Sequence, residues 1–456
     1  MKIKKMLFAL VLLSNTMTVW AQVPHLSGKV EIKMATGQIT CDFVLSNIPD
    51  MGNDYQILLN KGFNIKAITD AEGRTLRYDG FYNGKMKGEG LTYTPKVKDS
   101  VYRNPKQLHI TYTGAFPIYN NSFNFIDFKG LIAFNGETLR ATDQSKWYPV
   151  LYDVKNDRQI EQPTYDITVS TNAEATIFVN GDLPKHGPIA RFTSKIPVAP
   201  MLFVGKYATQ QTASALFLNT NMNKKQLEVF EQNIAEMKKY YHKVLGIPYQ
   251  TKNVFIEHKA VEQFNNGRSW GFVTFPTIAF AGIRMGTMID EKQSKFKDST
   301  DYPFIAHEIA HYYFGNVLQP NATLMWFFLE STAEYLSVKA SEEKFGKSFG
   351  ANYFKAATQN LKNYKVIPLP AIKDMNQVDG NYRYKYGPLL LRGMEQLIGE
   401  KRTFDFLKSC LADTKGLTDY AFFKRNALKS GITEQEWATY EKDYLLSENV
   451  TALIRY

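Results

Sequence analysis

His307-Glu308-Ile309-Ala310-His311 is the segment of this chain best equipped for chemistry. Residues four apart on a helix share a face, so His307 and His311 can offer two imidazoles to one metal ion with Glu308 beside them. The surrounding sequence predicts such a helix: Asp301 or Ser299 caps it, Pro303 suits its first turn, and Gly315-Asn316 ends it. A catalytic zinc takes three protein ligands and keeps one position open, so a third donor is required. Glu330 stands nineteen positions after His311, and a second helix antiparallel to the first would deliver it to the ion. Glu334, one turn further along Leu329-Glu330-Ser331-Thr332-Ala333-Glu334-Tyr335, is then placed to support a ligand from behind. One zinc per chain is the expected cofactor. Such an ion makes water acidic enough to attack at neutral pH, and Glu308, not itself a ligand, is the expected general base.

These residues need a scaffold, and the hydrophobic pattern changes along the chain. From about Gly28 to Thr220 short alternating stretches dominate, such as Lys29-Val30-Glu31-Ile32-Lys33 and Tyr165-Asp166-Ile167-Thr168-Val169, separated by Asn, Gly, Asp and Pro. That period of two predicts an antiparallel β-sandwich or saddle. After Asn221, Leu227, Phe230, Ile234, Met237, Tyr241 and Val244 recur at spacings of three and four, and Gly246 with Pro248 closes the segment as a helix stop. Asn253 to Ala260 and Gly271 to Ala281 are expected as strands, and most of Asp301 to Tyr456 as helix. The expected division is a signal peptide at 1–21, an N-terminal β domain at 22–207 and a catalytic domain at 208–456, α/β at first and then mainly α.

Composition narrows the function classes. With 456 residues, 44% hydrophobic and 22% charged, the chain has the apolar content of a folded protein and excludes disordered or fibrous classes. Its net charge of +11 is scattered among acidic residues with no long block of one sign, which argues against a nucleic-acid partner. Three lysines within Met1 to Lys5, an apolar run from Leu7 to Leu13 and Val19-Trp20-Ala21 predict a secretory signal cut near Ala21, hence export to a periplasm or the exterior. No later stretch is long and apolar enough to predict a membrane span. Cys41 and Cys410 are too few and too far apart for a disulfide framework and read as buried thiols. His25, His109, His186, His242 and His258 lack ligand spacing.

The residues around the histidines resemble the aminopeptidase N family of gluzincin metallopeptidases, which includes the leukotriene hydrolase branch and carries HExxH, eighteen residues, then Glu. Tyr313-Phe314-Gly315-Asn316 is similar to the family's W-F-G-N, and Leu329-Glu330-Ser331-Thr332-Ala333 stands where it has N-E-G-F-A. Trp147-Tyr148-Pro149-Val150-Leu151-Tyr152-Asp153 is similar to F-P-C-x-D, and Met201 to Tyr207 to the strand leaving the N-terminal domain. The resemblance implies a thermolysin-like catalytic domain without the family's large C-terminal helical domain. Tyr384-Lys385-Tyr386-Gly387 is similar to Y-E-K-G, which implies Tyr384 as the tyrosine that stabilises the oxyanion, with Tyr386 and Tyr382 as the alternatives.

One departure bears on specificity. The family binds its substrate's free amine with the Glu of G-x-M-E-N, ahead of W-G-x-V-T. Here Trp270-Gly271-Phe272-Val273-Thr274 is kept, with Gly271 expected to face substrate, but Arg268 stands at the place of that Glu. A guanidinium repels an ammonium and attracts carboxylates or carbonyls. The expectation is therefore a secreted zinc metallopeptidase of altered specificity, acting on peptides with acidic or blocked ends. The alternatives are a zinc-bearing accessory protein that holds peptides without cleaving them and a hydrolase of a non-peptide substrate.

Overall fold

The computed structural model describes residues 23–51, 55–81, 89–97, 100–101, 105–119, 127–155, 158–249, 251–259, 261, 270–296 and 300–456. The expected signal peptide, Ser299 and Arg268 lie outside them.

The N-terminal part is mostly sheet. A nine-stranded sheet and a six-stranded sheet share one core, built from inward residues of alternating strands such as Val30, Ile32, Cys41, Phe43, Leu108 and Ile110. Most pairs are antiparallel, as the alternation predicts. The exception is His25–Lys33, which runs parallel to Thr164–Val179. These two strands are far apart in sequence and no tight turn dictates their sense, so local pattern carries no information about it.

The nine-stranded sheet takes its last strand from Leu202–Gly205, and a separate five-stranded sheet begins at Thr209–Gln211. In that sheet Ala215–Leu218, Asn253–His258 and Thr277–Ala281 are parallel neighbours, and Trp270–Thr274 pairs antiparallel with Thr277–Ala281 as the edge strand. Helix α1 (Lys224–Leu245) connects two of the parallel strands. Asn223 and Gln226 form a reciprocal capping box at its start, and Gly246, at φ 75°, ends it in the left-handed conformation. Its buried stripe is completed by Val229 and Leu245, while the expected Leu227 and Val244 are only half-buried.

The remainder is helical: α2 (Asp301–Ala310), α3 (Thr332–Phe345), α4 (Lys347–Asn360) and α5 (Gly387–Ile398) surround the site, with Glu400–Ala412, Tyr420–Lys429 and Glu434–Tyr440 packed behind them. Helix α3 is buried on nearly all sides, as suits a helix inside a layer of others. The expected limits of α2 need correction. It starts at Asp301 after Thr300 with no side-chain cap, and it closes at Ala310 rather than at Gly315-Asn316. The Tyr312 and Tyr313 amides donate to the carbonyls of Ile309 and Ala310, three residues back, so the chain tightens and turns just after His311.

Cys41 and Cys410 are free, buried and in different cores. Among the described residues no helix is long and apolar enough to cross a membrane.

Candidate metal centre and active site

His307 sits in the last turn of α2 and His311 is its C-terminal cap, still in right-handed helical conformation. The four-residue spacing therefore holds although the helix is shorter than its sequence pattern. Their rings lie 4.8 Å apart, centroid to centroid, and nearly perpendicular. Tyr241 of α1 braces this helix from behind by donating its hydroxyl proton to the Ala306 carbonyl at 2.8 Å.

Glu330 reaches the pair from a π-helical turn, Phe327–Ser331, that leads into α3. His307 Nε2 lies 3.3 Å and His311 Nε2 3.7 Å from Glu330 Oε2. His307 also meets Glu334, so advancing along α2 means retreating along α3, the antiparallel arrangement the spacing predicts. The donor atoms of His307, His311 and Glu330 all lie within 4.8 Å of one another.

This donor set fits zinc on the chemistry of its free atoms. His307 donates Nδ1–H to Glu334 Oε2 at 2.8 Å, and His311 Nδ1 faces the Phe314 carbonyl at 3.3 Å. Each ring thus has one nitrogen occupied by an acceptor and turns the other, Nε2, toward the same carboxylate. Two imidazole nitrogens and one carboxylate oxygen are a zinc donor set, and the acceptors behind the rings fix their tautomer and orientation.

The electrostatics show the same excess of negative charge. Burial alone would lower His307, yet the Glu330 and Glu334 carboxylates on its two nitrogens hold it well above its ordinary value. Burial takes His311 down to about 4. Burial opposes ionisation of Glu330, but His311, His307 and Tyr384 hold its carboxyl at about 2. Glu308 is pushed up to about 7, chiefly by burial.

Glu308 lies against the edge strand. A Cβ on Gly271 would stand 3.1 Å from Glu308 Oε1 and 2.9 Å from the Phe304 ring, so glycine is needed for this close approach. Tyr384 comes from a second π-helical turn, Tyr382–Tyr386. Its ring centroid is 5.9 Å from that of His307, its hydroxyl engages the Glu330 carboxylate, and 41% of its surface is exposed to the cleft. Burial, with the Glu330 and Glu308 charges, keeps that hydroxyl protonated. The other two tyrosines of the turn are fully buried and outside the cleft lining, with Tyr386 donating to the Ser447 carbonyl at 3.2 Å. Gly387 explains how the two π-helical turns meet, since a Cβ there would fall 2.1 Å from Ser331 Oγ.

The cleft measures about 1660 Å³ and lies between the edge strand, α2, the two π-helical turns and the loop at Lys129 and Asp143–Gln144 of the β-rich part. Lys129 Nζ donates to the Val273 carbonyl at 2.9 Å and pairs with Asp143, which accepts from Thr274 Oγ1 at 2.8 Å. The structure thus gathers His307, Glu308, His311, Glu330, Glu334, Gly271 and Tyr384 on one cleft. It adds Tyr353 of α4, whose hydroxyl lies 2.8 Å from Glu334 Oε1 and 2.7 Å from the Tyr384 carbonyl. No spacing or motif marks Tyr353 in the sequence.

Comparison with known proteins agrees with this geometry. Residues 227–452 match the peptidase family M1 domain. A leucyl aminopeptidase of Saccharolobus solfataricus is 28% identical over 177 residues, which is 36% of this chain and 21% of that protein. A probable aminopeptidase 1 of Sulfurisphaera tokodaii is 27% identical over 203 residues, 41% of this chain and 24% of that protein. The matched part therefore spans only about a fifth to a quarter of these curated relatives. The fold is similar to that of native yeast LTA4 hydrolase (TM-score 0.67, 14% identity, 92% of this chain and 66% of that one). It is also similar to an M1 zinc metallopeptidase from Deinococcus radiodurans (TM-score 0.63, 13% identity, 93% of this chain and 94% of that one). Residues 227–452, which include the two histidines, Glu330 and the Tyr384 turn, carry a peptidase family M1 domain, and the aminopeptidase relatives and the shared fold support an aminopeptidase N-like zinc metallopeptidase.

Proposed function

We propose that this protein is an exported zinc-dependent peptidase that hydrolyses peptide bonds, with residues 208–456 carrying the chemistry and residues 22–207 walling one side of the cleft. The observation that carries this reading is the convergence of His307, His311 and Glu330 beside an acid, Glu308, that is not part of the donor set. His307 Nε2, His311 Nε2 and a Glu330 oxygen would hold the zinc. The ion, when bound, supplies Lewis acidity that brings the pKa of a coordinated water down towards about 7.

The remaining work falls to the chain's own groups. Glu308 takes the proton of the attacking water on its carboxylate and later gives it to the leaving amine. A carboxyl beside the donor set but outside it is placed for both transfers. Tyr384, kept protonated, donates its hydroxyl hydrogen to the oxygen that gains charge as the carbonyl is attacked. The edge strand Trp270–Thr274, with Gly271 leaving room, offers backbone groups for an extended substrate. Arg268, at the position where the family has an amine-binding Glu, shifts recognition away from free amino termini and toward acidic or blocked ends. Export is supported by the leading lysines, the apolar run and the small residues before Gln22.

The test is digestion of a mixed peptide library with mass spectrometry of the ends produced. The wild type is expected to contain about one zinc per chain and to create new amino termini, while Glu308→Gln keeps the metal and loses hydrolysis. Full turnover by that variant would reject Glu308 as the base. Absence of new termini with the wild type would favour a peptide-holding role.

A further inference from the structure

Trp326 immediately precedes the π-helical turn that carries Glu330, and Arg383 immediately precedes Tyr384. The two meet on the cleft wall: the Arg383 guanidinium carbon lies 3.9 Å from the Trp326 ring centroid, a cation–π stack, and both residues line the cleft. Arg383 Nε donates to the Val378 carbonyl at 2.8 Å. One nitrogen and one face of the guanidinium are therefore committed, which fixes the plane of the group. Among the described residues no acceptor takes a hydrogen bond from either terminal nitrogen, and no carboxylate lies within ion-pair distance.

Nearby acids are engaged elsewhere. Asp379 Oδ1 accepts from the Tyr364 hydroxyl and the Tyr382 amide, both at 2.9 Å, and Glu330 faces the two histidines. A half-buried arginine held rigidly with its two outward nitrogens unclaimed presents the planar fork that matches a carboxylate. Its place is one residue from the tyrosine that faces the reacting carbonyl in the proposed chemistry. The fork is thus within reach of the same short peptide.

We infer that Arg383, held over Trp326, determines specificity by binding a carboxylate of the substrate, either the C-terminal carboxylate of a short peptide or an acidic side chain. This rests on the peptidase reading and deepens it. Lys129 differs from Arg383 in being paired with a carboxylate, that of Asp143, which makes Arg383 the better anchor for an incoming anion.

Two peptide pairs test the inference and separate its sources: one tripeptide with a free or an amidated C terminus, and amidated tripeptides ending in glutamate or glutamine. Hydrolysis by the zinc enzyme is followed, and binding of the same peptides to Glu308→Gln protein is measured by calorimetry. The wild type is expected to prefer one carboxylate-bearing member by about tenfold or more, mainly through KM. Arg383→Gln, with unchanged zinc content and melting temperature, should bring that ratio to about one, and Arg383→Lys should restore part of it. The pair that shows the preference identifies the carboxylate. Equal KM within both pairs for the wild type, or an undiminished preference in Arg383→Gln, would overturn the anchor while peptide hydrolysis still stands. Failure of the wild type to cleave any peptide, together with no binding to the Glu308→Gln protein, would overturn both readings.

Discussion

His307 and Glu334 are joined at 2.8 Å through Nδ1, on the side of the ring away from the carboxylate it shares with His311. That bond decides which nitrogen of His307 carries hydrogen, and so which one can bind a metal. The Tyr353 hydroxyl, within hydrogen-bond distance of both Glu334 and the Tyr384 carbonyl, links the support of the metal centre to the segment that carries the cleft tyrosine.

Glu334→Ala should weaken zinc binding about 10–100-fold, because the His307 ring loses its orientation and part of its basicity. Glu334→Gln should lose less, since an amide oxygen still accepts from Nδ1. Titration against a competing chelator checks both, and wild-type zinc affinity in Glu334→Ala would contradict the supporting role.

Tyr384→Phe should lower kcat about 10²–10³-fold with little change in stability, as for loss of one oxyanion donor. Tyr386→Phe should do the reverse. It removes the bond that the buried Tyr386 makes to the Ser447 carbonyl, costing about 1 kcal/mol of stability with kcat within a few-fold of wild type. Comparing kcat and melting temperature of the two variants tells which tyrosine serves the cleft.

Glu257, on the strand Asn253–His258, accepts the Met285 amide at 2.6 Å, and burial lifts its carboxyl to about 7 against the pull of Arg284. Below about pH 4.5 the group is protonated in both folded and unfolded chains and imposes no penalty. Between about 4.5 and 7 the unfolded chain loses its proton first, so stability falls as pH rises, and above 7 it stays lower. The site keeps some contact with water, so the loss should be on the order of 1 kcal/mol. Glu257→Gln keeps an acceptor for Met285 and should reduce the difference in melting temperature between pH 5 and pH 8. An unchanged difference would show that Glu257 does not contribute to it.

Much of the centre was legible in the amino-acid order because it is local. Two histidines four apart need only one helical turn to share a face, and the change after Asn221 from alternating to three-and-four spacing marks where sheet yields to helix. The carboxylate at Glu330 followed from the requirement for a third ligand. Tyr384 followed from resemblance, but its separation from Tyr382 and Tyr386 came only from the π-helical turn that exposes one ring and buries the other two.

Other features belong to the tertiary structure alone. Sequence pattern overran the end of α2, because the turn after His311 is set by hydrogen bonds that tighten its last residues. Tyr353 beside Glu334, Arg383 over Trp326, and Lys129 on the Val273 carbonyl join segments 19 to 144 residues apart. Periodicity reports which face of an element is apolar; it does not say which distant face it will meet. The amino-acid order by itself determined which residue types stand at the centre and at what spacing, while packing between remote elements decided their partners, because those contacts exist only once several hydrophobic faces have been buried together.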